Sequence, residues 1–402
     1  MSIKVLIAGG GIGGLAAALA CSRAGHAVQL FERAAAFAEI GAGIQLGPNV
    51  TRILHGWGLQ KPLEAVAAYP DCLQARDAIS GKILGTLRLG DTALARYGAP
   101  YATTHRADLH GLLAHAVAAE DRVALQMDAT IDRYQQHGAG ITATTVRGER
   151  HQGDLLVGAD GLHSRVRQQL LNDGPPQPSA HRAYRALIAQ SSLIAALRSN
   201  CVTAWLGPQL HVVQYPVRGG AWLNVVAFAP VSSLGATSHA DDWDQAASTT
   251  ELQTAMRGVC RPLGDLIHAI DIWRAWPVCH RAPMQGPHEQ ALGHVALLGD
   301  AAHPMLPYLA QGGGMAIEDA HALGHCVRAK LERSVNVAHS LQTYANIRWA
   351  RSARVQHRAI RNERIFHATG PLALGRNLSM KLLGERLMDL PWLYNGAIDA
   401  AV

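Results

Sequence analysis

The segment "IAGGGIGGLAAALACSRAGHAVQLFE", residues 7–32, constrains the fold more than any other part of the chain. Gly9, Gly11 and Gly14 have GxGxxG spacing directly after an apolar strand, and Glu32 ends the next strand. Gly11 lets the backbone approach a pyrophosphate, Gly14 lets helix and strand pack closely, and the helix N-terminus offers N–H groups to the anion. The complete unit predicts a dinucleotide site with Glu32 on a ribose hydroxyl, rather than a helix that merely packs tightly. The unit alone does not distinguish NAD from FAD.

Two later segments repeat the order of apolar strand, glycine-rich turn and helix. Residues 154–158 lead into "GADGLHSRVRQQL", and residues 294–298 lead into "GDAAHPMLPYLAQGGGMAIEDA", where a helix is predicted from about 311 to 330. Strands that alternate with helices predict a parallel sheet that binds ligands at the carboxyl ends of its strands. After the linker-like "NDGPPQPSA" the runs become β-rich, and Gly219-Gly220 predicts a tight hairpin between two of them.

The sequence therefore predicts an α/β fold in which a Rossmann-like dinucleotide-binding domain contains an inserted antiparallel β-sheet substrate domain, followed by C-terminal helices. We assign residues 1–175 and 281–350 to the discontinuous nucleotide domain and residues 176–280 to the substrate domain. Some strands of the substrate domain are expected within residues 70–100. Residues 351–402 are expected to form a C-terminal helical segment.

Composition restricts the class of protein. With 402 residues, 49% hydrophobic and 16% charged, the chain has the make-up of a globular protein. No apolar run approaches the roughly 18 residues that a membrane span needs, so no membrane association is expected. Six cysteines without a CxxC pair argue against a disulfide framework and against a structural zinc site, and favour a reducing, cytoplasmic compartment.

A net charge of +6 favours anionic partners. The densest basic stretch, "RWARSARVQHRAIRNER", places Arg351, Arg354, Arg358 and Arg361 on one helix face. Because the stretch lacks interleaved aromatic residues and a nucleic-acid-binding motif, we expect a solvated or subunit-contacting face and no nucleic-acid partner. Either a monomer or a homodimer is compatible with the sequence.

The three motifs together resemble those of a known enzyme family. "GADGLHSRVR" with Asp160 and "GDAAHPMLP" with Asp300, combined with the N-terminal fingerprint, are similar to the signature motifs of single-component FAD-dependent aromatic hydroxylases. "GAGIQLGPN", "HRADL", "HVVQYP" and "AQGGGMAIEDA" resemble the branch that contains salicylate hydroxylase, 3-hydroxybenzoate 6-hydroxylase and 6-hydroxynicotinate 3-monooxygenase. The likeness covers nearly the whole chain.

This resemblance implies a monooxygenase that uses FAD, NADH or NADPH, and O2. In such enzymes reduced flavin forms a flavin hydroperoxide, which hydroxylates a small hydroxy-aromatic or heteroaromatic carboxylic acid of the salicylate, hydroxybenzoate or hydroxynicotinate type. The site must keep water out, and a base must remove or share the phenolic proton. Two alternatives remain open at this point: a flavin-dependent dehydrogenase or reductase without oxygen transfer, and a non-catalytic flavin-binding module.

The resemblance also implies which residues hold the cofactor. Arg106 would contact the FAD phosphates and Asp300 the ribityl chain. Consecutive glycines at the start of the helix predicted from about residue 311 would let the flat isoalloxazine ring lie close to backbone N–H groups, where the helix dipole stabilises negative charge. The predicted cofactor-binding residues are Gly9, Gly11, Gly13, Gly14, Glu32, Arg33, Gly43, Gln45, Arg106, Asp160, Asp300, Pro307, Gly312, Gly313, Gly314 and Met315.

The predicted catalytic residues lie on a strand of the inserted sheet. Alternation places His211, Val213 and Tyr215 on one face of this strand. From the residues alone, His211 and Tyr215 are ordinary side chains of a half-buried sheet, whereas the resemblance implies that they line the substrate pocket and that one helps to deprotonate the substrate. Gln45 stands where the 6-hydroxynicotinate enzymes carry histidine, and Pro307 stands where the 3-hydroxybenzoate enzymes carry glutamine.

Other histidines carry weaker signals. His321 and His325 are four residues apart on a predicted helix, and His110 and His115 are five apart, but neither pair has an acid in the zinc-protease arrangement. Packing or surface roles are therefore expected, and no metal ion. His303, in the third motif, is expected to be structural rather than a proton donor.

Overall fold

A computed structural model describes residues 2–37, 42–138, 140–231, 245–328 and 336–396. The strands are β1 (Lys4–Ala8), β2 (Ala27–Phe31), β3 (Gly43–Leu46), β4 (Ala67–Ala68), β5 (Cys72–Asp77), β6 (Ile83–Arg88), β7 (Ala102–His105), β8 (Val123–Gln126), β9 (Ile131–His137), β10 (Gly140–Thr145), β11 (Arg150–Gly153), β12 (Leu155–Gly158), β13 (Gln177–Ala189), β14 (Cys201–Gly207), β15 (Leu210–Val217), β16 (Trp222–Pro230), β17 (Gln245–Ala246), β18 (Arg274–His280), β19 (Ala291–Leu292) and β20 (Val295–Leu297). The helices are α1 (Ile12–Arg23), α2 (Pro48–Gly56), α3 (Gln60–Glu64), α4 (Gly90–Tyr97), α5 (Arg106–Ala118), α6 (Arg165–Leu171), α7 (Thr249–Ala255), α8 (Arg261–His268), α9 (Gly312–Cys326), α10 (Val337–Phe366), α11 (Gly370–Leu383), α12 (Glu385–Met388) and α13 (Pro391–Tyr394).

The first sheet has the strand order β19-β20-β12-β1-β2-β8, and its neighbours from β20 to β8 pair in parallel. The three motifs follow β1, β12 and β20, which are adjacent strands. Because parallel strands end at one edge, the three turns meet there. The prediction of a parallel sheet with converging motifs is confirmed.

Helices α1 and α9 pack together against this sheet, and small residues allow their close approach. A Cβ atom on Gly324 would lie 2.9 Å from the carbonyl oxygen of Ala20. Four of the buried residues of α1 are alanines and two are leucines. Because both helices begin just after a motif turn, this packing fixes the position of their N-termini relative to each other.

The second sheet has the order β17-β18-β13-β16-β15-β14-β5-β6 and includes two strands from residues 72–88. All neighbouring pairs are antiparallel except β5 and β14, which pair in parallel, so the sheet is mixed rather than purely antiparallel. The predicted hairpin is confirmed: Arg218, Gly219 and Gly220 all have positive φ between β15 and β16. The hairpin sets the register of β15, which carries His211 and Tyr215.

Strands β9, β10 and β11 form a small sheet of their own, and a second small sheet links the two large ones. Strand β7 lies between β3 and β4, and the Thr103 hydroxyl of β7 donates to the carbonyl oxygen of Pro216 in β15 across 2.5 Å. This contact brings β3 beside the substrate sheet. The first residue of β3, Gly43, therefore lies against β15.

Helix α10 runs without interruption from Val337 to Phe366, so residue 350, the expected end of the nucleotide domain, falls inside a continuous helix. The expectation of a solvated or subunit-contacting basic face is wrong for Arg351, whereas Arg354 is solvent-exposed as expected. Arg351 is largely buried and binds both carboxylate oxygens of Glu318 in α9. The Arg354 guanidinium lies 4.1 Å from the ring centre of Trp392. Helical spacing identified the shared face, but the partners come from distant segments.

The expectation of unpaired cysteines is also wrong. Cys72 and Cys201 occupy directly opposed positions on β5 and β14 and form a disulfide. They are 129 residues apart in the chain, so their spacing gave no signal of the pair. The prediction of a reducing compartment depended on the expected lack of a disulfide, so the cysteines no longer support it. Among the described helices, none combines the length and apolar character required to cross a membrane.

Candidate active site

The glycines of the first motif permit contacts that a side chain would prevent. A Cβ atom on Gly9 would lie 2.4 Å from the carbonyl oxygen of Ala159 in the second motif. A Cβ atom on Gly14 would lie 1.8 Å from the carbonyl oxygen of Gly9. A Cβ on Gly13 would lie 2.6 Å from Leu298 in the third motif. Around Gly11, by contrast, a Cβ would meet no described atom within 4 Å. The motif is thus tightly packed on three sides and open at the residue predicted to face a pyrophosphate.

Side chains from elsewhere hold this turn in shape. Glu32 accepts hydrogen bonds from the backbone N–H groups of Gly10, at 2.7 Å, and Ala34, at 2.9 Å, one to each carboxylate oxygen. Each oxygen keeps a lone pair, so the predicted bond to a ribose hydroxyl is compatible with this arrangement. His110 Nε2 donates to the carbonyl oxygen of Gly10 across 2.8 Å. This role of His110 was not predicted from the sequence.

The second motif is stabilised by its own acid. Asp160 accepts from the Ser164 hydroxyl at 2.5 Å and from the Arg165 backbone N–H at 2.8 Å, so it caps the start of α6. Burial raises the pKa of Asp160, although these hydrogen bonds oppose the shift. Arg167, which is buried, donates to the carbonyl oxygens of Ala301 and Ala302 and so joins the second motif to the third. A contact between Asp160 and the cofactor stays a prediction.

The third motif rests on a buried ionic network. Asp319 Oδ2 accepts from the Gly299 backbone N–H at 3.0 Å and from His303 Nε2 at 2.6 Å. The structural role expected for His303 agrees with this contact. Beside it, Glu318 binds Arg348 and accepts at 2.7 Å from the Asn49 amide. These groups lie directly under the loop that leads into α9.

The loop and the first turn of α9 form a cradle of backbone groups. A Cβ on Gly312 would lie 3.9 Å from Asp300 Oδ1, whereas Gly313 and Gly314 closely face Ile44 and Val50. Gln311, at the N-cap, makes no side-chain capping bond within the described residues, so the first N–H groups of α9 are available to an anion. Asp300 is exposed at the same edge. With the open face of Gly11, these features fit an extended cofactor such as FAD.

The remaining predicted cofactor residues lie around this edge. Arg106 begins α5, and its backbone N–H donates to Ala42 at 2.8 Å. Arg33 and Pro307 are exposed. Met315 is buried, and its sulfur faces the Arg348 guanidinium at 3.9 Å, so its side chain belongs to the ionic network. Contacts of these residues with FAD stay predictions.

The imidazole ring of His211 packs against several aromatic side chains. Its ring stacks on Phe228 with a centroid separation of 4.3 Å and an angle of 7°. Tyr308 and Phe366 meet it edge-on at 5.1 and 5.4 Å. His211 Nδ1 is 2.7 Å from His367 Nε2, and His211 Nε2 makes no hydrogen bond with the part of the chain that the structure describes. His367 was not singled out from the sequence because its partner is 156 residues away.

Tyr215 lies on the same face of β15 and packs against β3. A Cβ on Gly43 would lie 2.4 Å from Tyr215 Cε2, so only glycine allows this approach. The Asn224 side-chain oxygen accepts from the Gly43 backbone N–H at 2.6 Å, and its buried amide nitrogen finds no partner among the described residues. Gln45 accepts from the Tyr101 hydroxyl at 2.6 Å. Tyr215, Asn224 and Gln45 thus form a polar patch beside β3.

The electrostatics give His211 and Tyr215 different protonation states. Burial, and then the neighbouring His367 and His181, hold the pKa of His211 well below its ordinary value, so its imidazole is neutral at pH 7. Burial raises the pKa of Tyr215, although a hydrogen bond from Gln45 opposes this, so its hydroxyl stays protonated. His211 can therefore accept a proton, and Tyr215 can donate a hydrogen bond.

Known proteins resemble this chain over nearly its whole length. A 3-hydroxybenzoate 6-hydroxylase from Polaromonas naphthalenivorans is 36% identical over 398 residues, which cover 98% of this chain and 96% of that protein. A 6-hydroxynicotinate 3-monooxygenase from Bordetella bronchiseptica is 33% identical over 326 residues, covering 80% of this chain and 81% of that protein. A salicylate hydroxylase structure with substrate has a TM-score of 0.83 at 24% identity, covering 99% of this chain and 97% of that one, which shows a shared fold.

The predicted resemblance to the FAD-dependent aromatic hydroxylases is confirmed by these relatives. A family model described as the FAD binding domain matches residues 2–359, which include all three motif turns and β15. The open face of Gly11, the uncapped start of α9 and the exposed Asp300 supply the backbone donors and the carboxylate that such a cofactor requires. The chain belongs to the FAD binding domain family.

Proposed function

We propose that this protein is an FAD-dependent monooxygenase that hydroxylates a small hydroxy-aromatic or heteroaromatic carboxylic acid, with NADH or NADPH as reductant and O2 as oxidant. The observation that carries the proposal is the setting of His211 and Tyr215. One strand face presents a neutral base and a hydroxyl donor, and residues of β3 and of the third-motif loop cover that face. A flavin in the motif cradle would therefore lie next to an aromatic substrate on β15.

The spacing of the two side chains suits a single aromatic ring. Four residues of an extended strand span about 13 Å, a length that one substituted aromatic ring over Val213 would bridge between His211 and Tyr215. Val213 packs in the same apolar cluster as Met305 and Leu309 of the third-motif loop. These side chains would exclude water from the ring, and water exclusion protects a reactive oxygen donor.

The chain's own residues would hold the substrate and move its proton. His211 Nε2 would accept the phenolic proton, because the ring is neutral and its Nδ1 is engaged with His367. The Tyr215 hydroxyl and the unpartnered amide of Asn224 would donate to oxygen atoms of the substrate. Bound FAD would supply the activation of O2 after reduction by NAD(P)H.

The proposal is tested by screening hydroxybenzoates and hydroxypyridine carboxylates for accelerated NAD(P)H consumption by the FAD-loaded protein. The expected result is faster consumption with at least one acid, and a product that gains one oxygen atom from 18O-labelled O2. Ligand-accelerated consumption without labelled product would indicate a dehydrogenase or a reductase. Bound flavin with no ligand-dependent turnover would indicate a non-catalytic binding module.

The acid that the enzyme prefers is part of the same test. Relatives named 3-hydroxybenzoate 6-hydroxylase are 32% to 37% identical over nearly the whole chain. For this reason 3-hydroxybenzoate is the first compound to test. Pro307 and Gln45 depart from the patterns of the 3-hydroxybenzoate and 6-hydroxynicotinate enzymes, so salicylate and substituted analogues belong in the same series.

A further inference from the structure

Two histidines and a glutamate meet where the end of α10 packs on the substrate sheet. His181 belongs to β13, Glu363 to the last turn of α10, and His367 is the residue that caps α10. One ligand atom from each of the three lies within 4.8 Å of the other two. The two imidazole rings stack with their centroids 3.9 Å apart, and His181 Nδ1 is 3.6 Å from Glu363 Oε1.

The hydrogen bond of His181 fixes its tautomer, and the hydrogen bond of His367 allows the same one. His181 Nε2 is 3.2 Å from the carbonyl oxygen of Gln209, which can only accept, so this nitrogen carries the hydrogen. When His367 Nε2 donates to His211 Nδ1 across 2.7 Å, the hydrogen of His367 also lies on Nε2. In that state both Nδ1 atoms present lone pairs. A second nitrogen held by a hydrogen-bond acceptor is the usual support of a metal-binding histidine.

Neither Nδ1 atom has a hydrogen-bond partner among the described residues. Both are buried from solvent, and His367 is nine-tenths buried as a residue. Leaving such a nitrogen unsatisfied costs about 1–3 kcal/mol, so the arrangement calls for a ligand.

The charged side chains around the cluster are compatible with the binding of one cation. Glu363 supplies a negative charge, and its Oε1 lies 3.6 Å from His181 Nδ1. Arg376 is the opposing cation nearby, but its guanidinium donates to the carbonyl oxygens of Ile365 and Phe366 at 3.1 and 2.9 Å. Two neutral imidazoles and one carboxylate are a donor set that suits Zn²⁺ and similar borderline cations.

We propose that His181 Nδ1, His367 Nδ1 and the Glu363 carboxylate bind one divalent cation, with Zn²⁺ as the best match. A tetrahedral Zn²⁺ site places its donors about 3.4 Å apart, since its bonds are about 2.0–2.2 Å long. The ligand atoms, which lie within 4.8 Å of one another, must therefore approach by at most about 1.4 Å, and the two stacked rings must rotate so that both Nδ1 lone pairs point at the ion. Water or a further ligand completes the coordination, and the ion would fasten the end of α10 to β13.

The ion would also control the proposed base. A metal on His367 Nδ1 requires the hydrogen on Nε2, where it is donated to His211 Nδ1. Neutral His211 then carries its own hydrogen on Nε2 and cannot accept a proton there from a substrate. Without metal, the opposite tautomer of both rings frees that nitrogen. Metal binding is therefore inhibitory, a consequence that rests on the proposed function.

The binding arm of the test uses the FAD-loaded protein, stripped with a chelator and titrated calorimetrically with Zn²⁺. The wild type is expected to bind one equivalent that Glu363→Gln and His181→Ala lose or bind at least about tenfold more weakly. His325→Ala, which removes an exposed histidine of α9, is the matched control and should retain that equivalent. Flavin content and circular dichroism check that each variant folds. Equal Zn²⁺ binding by the wild type and Glu363→Gln would overturn the site.

The activity arm measures hydroxylation with and without one equivalent of Zn²⁺. Turnover of the wild type should fall, whereas turnover of Glu363→Gln should not respond to the same concentration. If Zn²⁺ binds at this cluster and wild-type turnover does not change, the site stands and the coupling to His211 is overturned. Because binding is read by heat and not by turnover, a protein without hydroxylase activity leaves the metal site testable by itself.

Discussion

Arg348 and Asp319 form a fully buried ion pair in which Arg348 Nε donates to Asp319 Oδ1 across 2.7 Å. The other carboxylate oxygen of Asp319 accepts from the Gly299 backbone and from His303, so one side chain of α9 holds both α10 and the start of the third motif. Burial raises the pKa of Asp319, but the neighbouring His303 and Arg348 side chains outweigh it and keep the pKa below its ordinary value. This pair therefore couples the stability of the protein to the shape of the FAD cradle.

Replacing Asp319 with Asn should destabilise the protein by about 3–5 kcal/mol, because it leaves the Arg348 charge buried without its partner. FAD binding should weaken as well, since the Gly299 turn loses its carboxylate acceptor. Urea unfolding monitored by circular dichroism gives the free energy, and flavin fluorescence gives the affinity for FAD.

Asp132→Asn is the matched control for Asp319→Asn. Asp132 also binds arginine, at 2.5 Å from Arg165, but the pair is largely solvent-exposed, and exposed pairs contribute about 0–1 kcal/mol. The control should therefore unfold nearly as the wild type does. A loss of similar size in both variants would contradict the structural role of the buried pair.

Local sequence patterns predicted much of this fold. The glycine spacing around Gly9 and Gly14 indicated the strand, turn and helix, since the close contact at Gly14 is with Gly9, five residues earlier, although the contact of Gly9 with Ala159 of the second motif is long-range. The alternation of β15 placed His211 and Tyr215 on one face, and Gly219-Gly220 gave the hairpin. Each of these inferences depends on chain geometry over a short range.

Long-range partners escaped the sequence analysis. Arg351 appeared to lie on a basic surface, yet it binds Glu318, which belongs to another helix. Cys72 and Cys201 became neighbours only through the parallel pairing of β5 with β14. His367 meets His211 across 156 residues. In each case the contact forms because the fold brings two distant segments together. The local spacing of residues in a single sequence does not reveal such a contact.

A methyl group at Gly43 should disturb the substrate site. The Cβ of Gly43→Ala would lie 2.4 Å from Tyr215 Cε2 and 2.7 Å from Asn224 Cγ, so both buried side chains must move. We expect a stability loss of about 1–3 kcal/mol from this overpacking, and a fall in kcat. Steady-state turnover and thermal unfolding measure the two effects.

Gly111→Ala is the control for this overpacking. Gly111 lies in the exposed interior of α5, and its Cβ would meet no described atom within 4 Å. Alanine should stabilise the helix by about 0.5–1 kcal/mol and leave kcat unchanged. A loss of activity in both variants would show that the effect is not specific to the contact with Tyr215.

Substitutions on β15 should separate a base from a hydrogen-bond donor. His211→Gln removes the proton acceptor and should lower hydroxylation by about 10²- to 10⁴-fold. Tyr215→Phe removes one hydroxyl and should cost about tenfold, the equivalent of one hydrogen bond. FAD content should stay at the wild-type level in both. Unchanged turnover in both variants would remove these residues from the mechanism.

Mild acid should destabilise the protein through its buried histidines. Burial is the main cause that lowers the pKa of His211 and that of His367, the latter to about 3. These two rings therefore stay unprotonated in the folded protein, whereas the same rings in the unfolded chain take up protons below pH 6.5. Each such proton lowers the free energy of unfolding by about 1.4 kcal/mol per pH unit as the pH falls. Between pH 6 and 5, the wild type should therefore lose about 2 kcal/mol more than a His211→Gln/His367→Gln double variant. Urea unfolding with chelator present measures the difference, and equal slopes would show that these rings are protonated in the folded state.

Reduction of the Cys72–Cys201 disulfide should weaken the substrate sheet. The bond joins residues 129 apart and so restricts the unfolded chain strongly; losing a bond of this kind costs about 2–5 kcal/mol. Thiol titration of the unreduced, denatured protein should find the four free cysteines, Cys21, Cys260, Cys279 and Cys326, and titration after reduction should find all six. Dithiothreitol should lower the unfolding midpoint of the wild type but not that of a Cys72→Ser/Cys201→Ser variant, because only the first has a bond to lose. Six reactive thiols before reduction would mean that the opposed cysteines of β5 and β14 stay unpaired, and the sheet would then depend on its hydrogen bonds and packing alone.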